Sequence, residues 1–378
     1  MEPASRTDIP PSGIRRFFEL AEELDDIISL GVGEPDFSAP WSARQAAVDS
    51  LEMGRTSYTA NRGRRELREL IAAHQRERYG LDYGADDEVL VTTGVSEALD
   101  LAIRALVEPG DTVAVPDPSY VSYVPSVGFS GGDVLTVATR AEDDFRLTVD
   151  ALRDAGAADA DLLVLNYPNN PTGAVMRRED LEPVAAFCRD EDVAVVSDEV
   201  YAQLTYGDDH ASIASLEGMR ERTLRLDGFS KAYAMTGMRL GYACGPSDVI
   251  AAMNRIHQYT MLSAPTTAQH MAIDALERCD DAVDEMRREY DRRRNVVLSR
   301  LDEMGIDCFE AQGAFYAFPE CPTGDDEAFA EALLEEERVA VVPGSVFGEA
   351  GEGHLRMSYA TGMEELKEAL HRIARFVE

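Results

Sequence analysis

A few side chains in this sequence stand in settings that leave them little use other than chemistry. Lys231 is one of only two lysines, with Lys367, among 36 basic residues. A chain that has so nearly abandoned lysine keeps one in mid-sequence for what a guanidinium cannot do, which is to lose a proton near neutrality and condense with a carbonyl. Asp198 closes the apolar run that begins at Val193, so a carboxylate ends a buried strand and needs a partner there. Tyr201 follows three residues later, a spacing that puts both side chains on one side of a turn or a beginning helix. Gly94-Val95-Ser96 joins an apolar run to a helical pattern. Backbone N–H groups in such a junction can cradle an anion, although the same junction also serves as a plain helix cap. Arg239, eight residues beyond Lys231, offers a planar fork to the same anion, and Ser230 a hydroxyl. Arg356 lies within Leu355-Arg356-Met357, an inward-facing cation that calls for an anion such as a carboxylate. Gly33 would let the backbone approach that carboxylate closely. Asn170 lies in a Pro-Asn-Asn-Pro-Thr-Gly turn, bent by its prolines and glycine.

The elements that must position these residues follow from the hydropathy pattern. Short apolar runs at Val89–Thr93, Thr112–Val115, Val134–Val137, Leu162–Asn166, Val193–Asp198, Thr223–Asp227 and Leu240–Cys244 alternate with amphipathic stretches such as Glu97–Val107 and Arg178–Arg189. This is an α/β pattern with a seven-stranded, mainly parallel sheet. The later pattern changes to long charged helices, Ala282–Glu303 and Met363–Phe376, with short strands at Phe315–Phe318 and Ala340–Val342. We therefore expect a large domain over 41–270 and a smaller α+β domain over 271–378. A segment over 1–40, helical at Ser12–Leu24 and extended at Ile27–Val32, packs with the smaller one.

Composition removes several function classes. The net charge is −35 over 378 residues, with 71 acidic side chains and 45% hydrophobic residues. There is enough apolar mass for a core, and the acidity argues against nucleic acid and anionic membrane as partners. No apolar run approaches membrane-spanning length and Met1–Gly13 has no signal-peptide pattern, so a cytoplasmic location is expected. The five cysteines form no CxxC, and neither zinc nor disulfides are expected. No Gly-Lys of a Walker loop, HExxH, GxSxG or complete dinucleotide fingerprint is present. Acidity with so little lysine resembles the proteins of salt-loving microbes, which predicts higher melting in molar salt than in dilute buffer.

Taken in order, Gly33 to Phe37, Tyr58, Thr93 to Glu97, Pro118-Ser119-Tyr120, Asn166 to Gly173, Ser197 to Tyr201, Gly228 to Arg239 and Arg356 resemble the fold-type-I aminotransferases that use pyridoxal 5'-phosphate. Within these the similarity is to the class I group with aspartate and aromatic aminotransferases, most of all the archaeal aromatic ones. The resemblance covers nearly the whole chain. It implies that Lys231 forms the Schiff base, Asp198 pairs with the pyridine nitrogen, and Tyr201 and Asn170 face the 3-oxygen. It further implies that Asn170 reaches the substrate carboxylate with Arg356, that Tyr120 stacks on the ring, and that Tyr58 reaches the phosphate of a neighbouring subunit in a homodimer. Gly94, Val95, Ser96, Ser230 and Arg239 form the phosphate shell, which departs from many relatives by having Gly228 where they carry serine. The implied reaction passes an amino group from an L-amino acid, aromatic or aspartate, to a 2-oxo acid such as 2-oxoglutarate in a ping-pong cycle. A carbon–sulfur β-lyase, or another enzyme such as a racemase using the same cofactor on this fold, is the alternative. Regulators built on this fold carry an N-terminal DNA-binding domain, and none is expected here with site motifs beginning by Gly33.

Overall fold

The structure, a computed structural model, describes residues 26–378 together with Thr7, Ile9, Pro10, Gly13, Ile14 and Leu24. The expected helix Ser12–Leu24 thus lies outside the described residues apart from Gly13, Ile14 and Leu24. Twelve strands follow in chain order: Ile28–Ser29 (β1), Val89–Thr92 (β2), Thr112–Asp117 (β3), Asp133–Ala138 (β4), Leu162–Asn166 (β5), Ala194–Asp198 (β6), Thr223–Gly228 (β7), Gly241–Cys244 (β8), Tyr316–Ala317 (β9), Val339–Ala340 (β10), Val342–Pro343 (β11) and Leu355–Ser358 (β12).

Seven of them form the central sheet, in the order β2-β8-β7-β6-β5-β3-β4. Only β8 runs against the rest. The strands β2, β5, β7 and β8 are wholly buried, whereas β4 at the edge alternates towards solvent. Edge position alone does not decide this, since β2 at the other edge is fully covered while β4 leaves side chains in solvent. Helices Val95–Leu106 and Ser247–Thr260 bury Leu99, Leu101, Ile103, Ile250 and Met253 with Val113, Val164 and Leu226 on one face. Helix Arg178–Asp190 buries Leu181, Val184 and Phe187 with Leu163, Leu165 and Val195 on the other. Each such side chain contributes about 1.5–3 kcal/mol of burial.

Because β2, β3, β5, β6 and β7 are parallel, their carboxyl ends share one edge. The segments after them carry Gly94, Tyr120, Asn170, Asp198 and Lys231. Ligands of open α/β sheets bind at that edge.

The expected strand Ala340–Val342 is instead two strands. Val339–Ala340 pairs in parallel with Ile28–Ser29, and Val342–Pro343 pairs antiparallel with Leu355–Ser358 beside Tyr316–Ala317. One apolar run thus serves two separate sheets, a division that hydropathy does not encode. Among the described residues, no helix is long and apolar enough to cross a membrane.

Candidate active site

Lys231 follows β7 and its Nζ donates to the carbonyl of Gly33 at 2.6 Å. The amine lies 5.5 Å from the Tyr201 ring centre and 5.6 Å from that of Phe315. Burial, then the positive charge of Arg356, brings its pKa down to about 8. The lysine is therefore poised to exchange a proton near neutral pH.

Asp198 ends β6, where its Oδ2 accepts from the Tyr123 hydroxyl at 2.9 Å and its Oδ1 accepts from the Val200 N–H at 3.2 Å. Burial pushes its carboxyl up to about 6, against both hydrogen bonds. Tyr123 escaped the sequence reading because it opens helix Tyr123–Ser130 and reads as an ordinary apolar-face residue. Behind Asp198, buried Arg225 pairs with Glu199 at 2.8 Å and with Asp227 at 2.9 Å. Burial alone would raise the Glu199 carboxyl, but Arg225 and His210 outweigh it and hold it at about 2. Tyr201 lies in a turn rather than a helix, and its hydroxyl meets that of Tyr316 at 2.8 Å.

The turn after β5 divides its two asparagines. Asn169 Oδ1 accepts from the Thr172 N–H at 3.0 Å and from the Thr172 hydroxyl at 2.8 Å, so it is spent within the turn. Asn170 Oδ1 instead accepts from Arg356 Nη1 at 2.8 Å. Arg356 also donates through Nη2 to the Gly31 carbonyl at 2.6 Å, while its buried Nε has no partner. Its guanidinium lies 4.6 Å from the Tyr316 ring centre and 4.7 Å from that of Phe347. Desolvation lowers its pKa. Among the described residues no carboxylate pairs with it, which leaves a buried cation open to an anionic ligand.

At the other end of the cleft, Gly94 has φ +81° and precedes helix Val95–Leu106, which begins at Val95 rather than near Glu97. A Cβ on Gly94 would lie 2.7 Å from Arg239 Nη2, so the missing side chain is what admits the guanidinium. Glu97 fixes the loop from below, accepting from the Thr93 N–H and meeting His257 Nδ1 at 2.7 Å. Ser96 is exposed and Ser230 buried. A Cβ at Gly228 would lie 2.9 Å from Val95 Cγ2 and 3.0 Å from Gly241 Cα, so this position has no room for the serine many relatives carry. At Gly33 a Cβ would lie 2.5 Å from the Tyr316 hydroxyl, a contact that its sequence context does not announce. Tyr120 packs edge-on to Tyr123 at 5.6 Å. Tyr58 is 81% exposed and touches none of these groups within its own chain.

A buried amine, a buried carboxylate and a loop bearing a guanidinium are what an aldehyde, a ring N–H and a phosphate each require. The family model of aminotransferase class I and II matches residues 25–373. The chain belongs to the class I and II aminotransferases. It is 44% identical to an aspartate aminotransferase of Pyrococcus abyssi over 97% of this chain and 96% of that one. It is 43% identical to aromatic-amino-acid aminotransferase 2 of Thermococcus litoralis over 98% and 96% of the two chains. The solved structure of an aromatic aminotransferase from Pyrococcus horikoshii matches with a TM-score of 0.91 at 44% identity, covering 96% of this chain and 98% of that one. Aminotransferases of this type depend on pyridoxal 5'-phosphate. The group fits this aminotransferase on the features above, most plainly the side-chain-free Gly94 beside Arg239 and the buried carboxylate of Asp198.

Proposed function

We propose that the enzyme moves the amino group of an L-amino acid, aromatic by first preference and aspartate by second, to a 2-oxo acid, foremost 2-oxoglutarate, in a ping-pong cycle. The observation that carries this reading is the buried Arg356 guanidinium, which has no carboxylate partner among the described residues and whose charge acts on the Lys231 amine, an arrangement suited to an α-carboxylate next to its reacting carbon. Pyridoxal phosphate supplies an aldehyde to capture nitrogen and an electron sink for the α-carbon. Lys231 would hold the aldehyde and, once freed, take the proton from the substrate α-carbon and deliver it to the cofactor carbon that keeps the nitrogen. Asp198 would pair with the ring nitrogen and keep it protonated, Tyr201 and Asn170 would face the 3-oxygen, and Tyr120 would cover the ring. Gly94, Val95, Ser96, Ser230 and Arg239 hold the phosphate. Arg356, Asn170 and the Gly33 segment hold the substrate carboxylate.

The aromatic preference is supported by the rings of Tyr120, Tyr201, Phe315 and Tyr316 around the site. It is supported too by Arg293, which packs on Tyr290 near Phe315 but is already paired with Asp36 at 2.8 Å and Glu289 at 3.1 Å. An aspartate side chain would need an uncommitted cation. The test is a single-turnover absorbance scan with tyrosine, phenylalanine, aspartate, glutamate and alanine added separately. Loss of the visible band on adding the amino acid, its return with 2-oxoglutarate, and the fastest rates for the aromatic substrates are expected. A band that persists while sulfur amino acids yield ammonia and pyruvate would instead mark a β-lyase.

The assembly is read as a homodimer in which Tyr58 reaches the partner's site, supported by exposed Tyr58, Trp41 and Tyr259; a monomer in sedimentation would overturn this. The five free cysteines support a reducing, cytoplasmic setting, and secretion of the protein by its source cells would contradict it. For the domains, helix Thr266–Arg278 crosses residue 270, and its Gln269 accepts from the Arg64 N–H at 2.7 Å. That contact favours a boundary near Cys279, with the β1 segment belonging to the smaller domain. Limited proteolysis cutting within 266–278 would argue against it.

A further inference from the structure

Tyr316 is fully buried on the two-residue strand β9 and makes three contacts that no sequence motif announces. Its hydroxyl meets the Tyr201 hydroxyl at 2.8 Å. Its ring lies 4.6 Å from the Arg356 guanidinium. Its hydroxyl also occupies the space where a side chain at Gly33 would stand, since a Cβ there would fall 2.5 Å from the oxygen. Gly33 has no left-handed φ, so its lack of a side chain answers to this contact and not to backbone strain. The Gly33 carbonyl in turn accepts from Lys231. One aromatic ring thus touches or borders the residues read as the 3-oxygen donor, the carboxylate anchor and the segment that holds the lysine.

We propose that Tyr316 is a positioning residue: its hydroxyl donates to Tyr201 and strengthens Tyr201 as a donor to the cofactor 3-oxygen, its ring supports Arg356, and Gly33 is side-chain-free to admit it. The direction of the hydrogen bond follows from proton counting. If Tyr201 gives its only proton to the 3-oxygen, the proton between the two hydroxyls comes from Tyr316, and a chain of two bonds polarises each member. The inference rests on the reading of Tyr201 given above.

The test measures the pH midpoint of the visible absorbance of the bound cofactor, with the KM for the amino acid, in the Tyr201→Phe, Tyr316→Phe and Tyr316→Leu variants. Tyr201→Phe removes the donor to the 3-oxygen and should raise the midpoint. Tyr316→Phe should raise it in the same direction by a few tenths of a unit to about one unit. It should change KM less than about twofold, because the ring stays beneath Arg356. Tyr316→Leu, which also removes the ring, should raise KM by about 2- to 30-fold. Thermal melting of the cofactor-free protein gives a separate reading, since Gly33→Ala should lower it and adding Tyr316→Phe should recover much of the loss. A midpoint unmoved by Tyr201→Phe would overturn both the Tyr201 reading and this inference. A midpoint moved by Tyr201→Phe but not by Tyr316→Phe would overturn this inference alone, as would Gly33→Ala and Tyr316→Phe acting independently on melting.

Discussion

Arg356 donates to Asn170 Oδ1 at 2.8 Å, joining a strand of the C-terminal region to the turn after β5 across 186 residues of chain. The bond orients a guanidinium whose Nε stays unpartnered in a buried setting. A cation already desolvated in this way would suit a carboxylate ligand, the role proposed for the pair.

Replacing Arg356 by alanine should therefore remove about 2–5 kcal/mol of substrate binding, or about 30- to 5,000-fold in KM. Cofactor affinity should fall far less, because Asn170 is the one group read as binding the cofactor that Arg356 meets. Steady-state kinetics with cofactor titration checks both, and an unchanged KM would mean the carboxylate is anchored by another group.

Asp198 makes a prediction with a pH dependence. Its carboxyl is pushed up to about 6 by burial, whereas in the unfolded chain an aspartate titrates near 4. Between those values the folded chain binds the proton more readily, so this group costs stability as pH rises from about 4 to 6. Asp198→Asn keeps the shape and loses the charge. The cofactor-free variant should exceed the parent by on the order of 2–3 kcal/mol at pH 7 and match it below about pH 4, read by urea unfolding. Its turnover should fall by on the order of 10³ as the ring nitrogen loses its counter-ion. A cofactor-free variant less stable than the parent at pH 7 would contradict the burial argument.

Gly228 tests the phosphate loop. Its missing side chain faces Val95 Cγ2 at 2.9 Å, Gly241 Cα at 3.0 Å and the Leu240 carbonyl at 3.1 Å. Gly228→Ser should therefore cost about 1–3 kcal/mol and push Val95, the first residue of the loop helix, out of place. Melting should drop and the cofactor should be lost faster on dialysis. A serine variant that melts like the parent and holds the cofactor more tightly would show that the loop has room for the hydroxyl.

Much of this architecture was legible in advance, and the exceptions share a cause. The inner strands of the large sheet announce themselves through continuous Val and Leu runs such as Leu162–Asn166, because burial on both faces leaves few polar positions to blur them. Lys231 and Asp198 were visible because each is chemically out of place, one by rarity and the other by its position after an apolar run. Tyr316 and Tyr123 were not, since a buried tyrosine on a short strand or at the start of a helix has the same local pattern whether it fills space or holds a catalytic group. The division of 339–343 between two sheets was invisible for a related reason. Strands of two residues are defined by their partners, Ile28–Ser29 and Leu355–Ser358, and not by their own sequence. The Tyr316 oxygen that fills the space beside Gly33 lies 283 positions further along the chain, so nothing in the local sequence announces that contact.

The scarcity of lysine allows a direct test of the claim that Lys231 carries the cofactor. Lys367, the only other lysine, lies on the C-terminal helix beside Glu364 at 3.1 Å. Borohydride reduction of the holoenzyme converts a carbon–nitrogen linkage between cofactor and lysine into a stable bond, which peptide mass spectrometry can locate. The account predicts the added pyridoxyl mass on the peptide containing Lys231, and its loss in Lys231→Arg together with the visible band. The mass on Lys367, or on neither lysine while turnover persists, would contradict it.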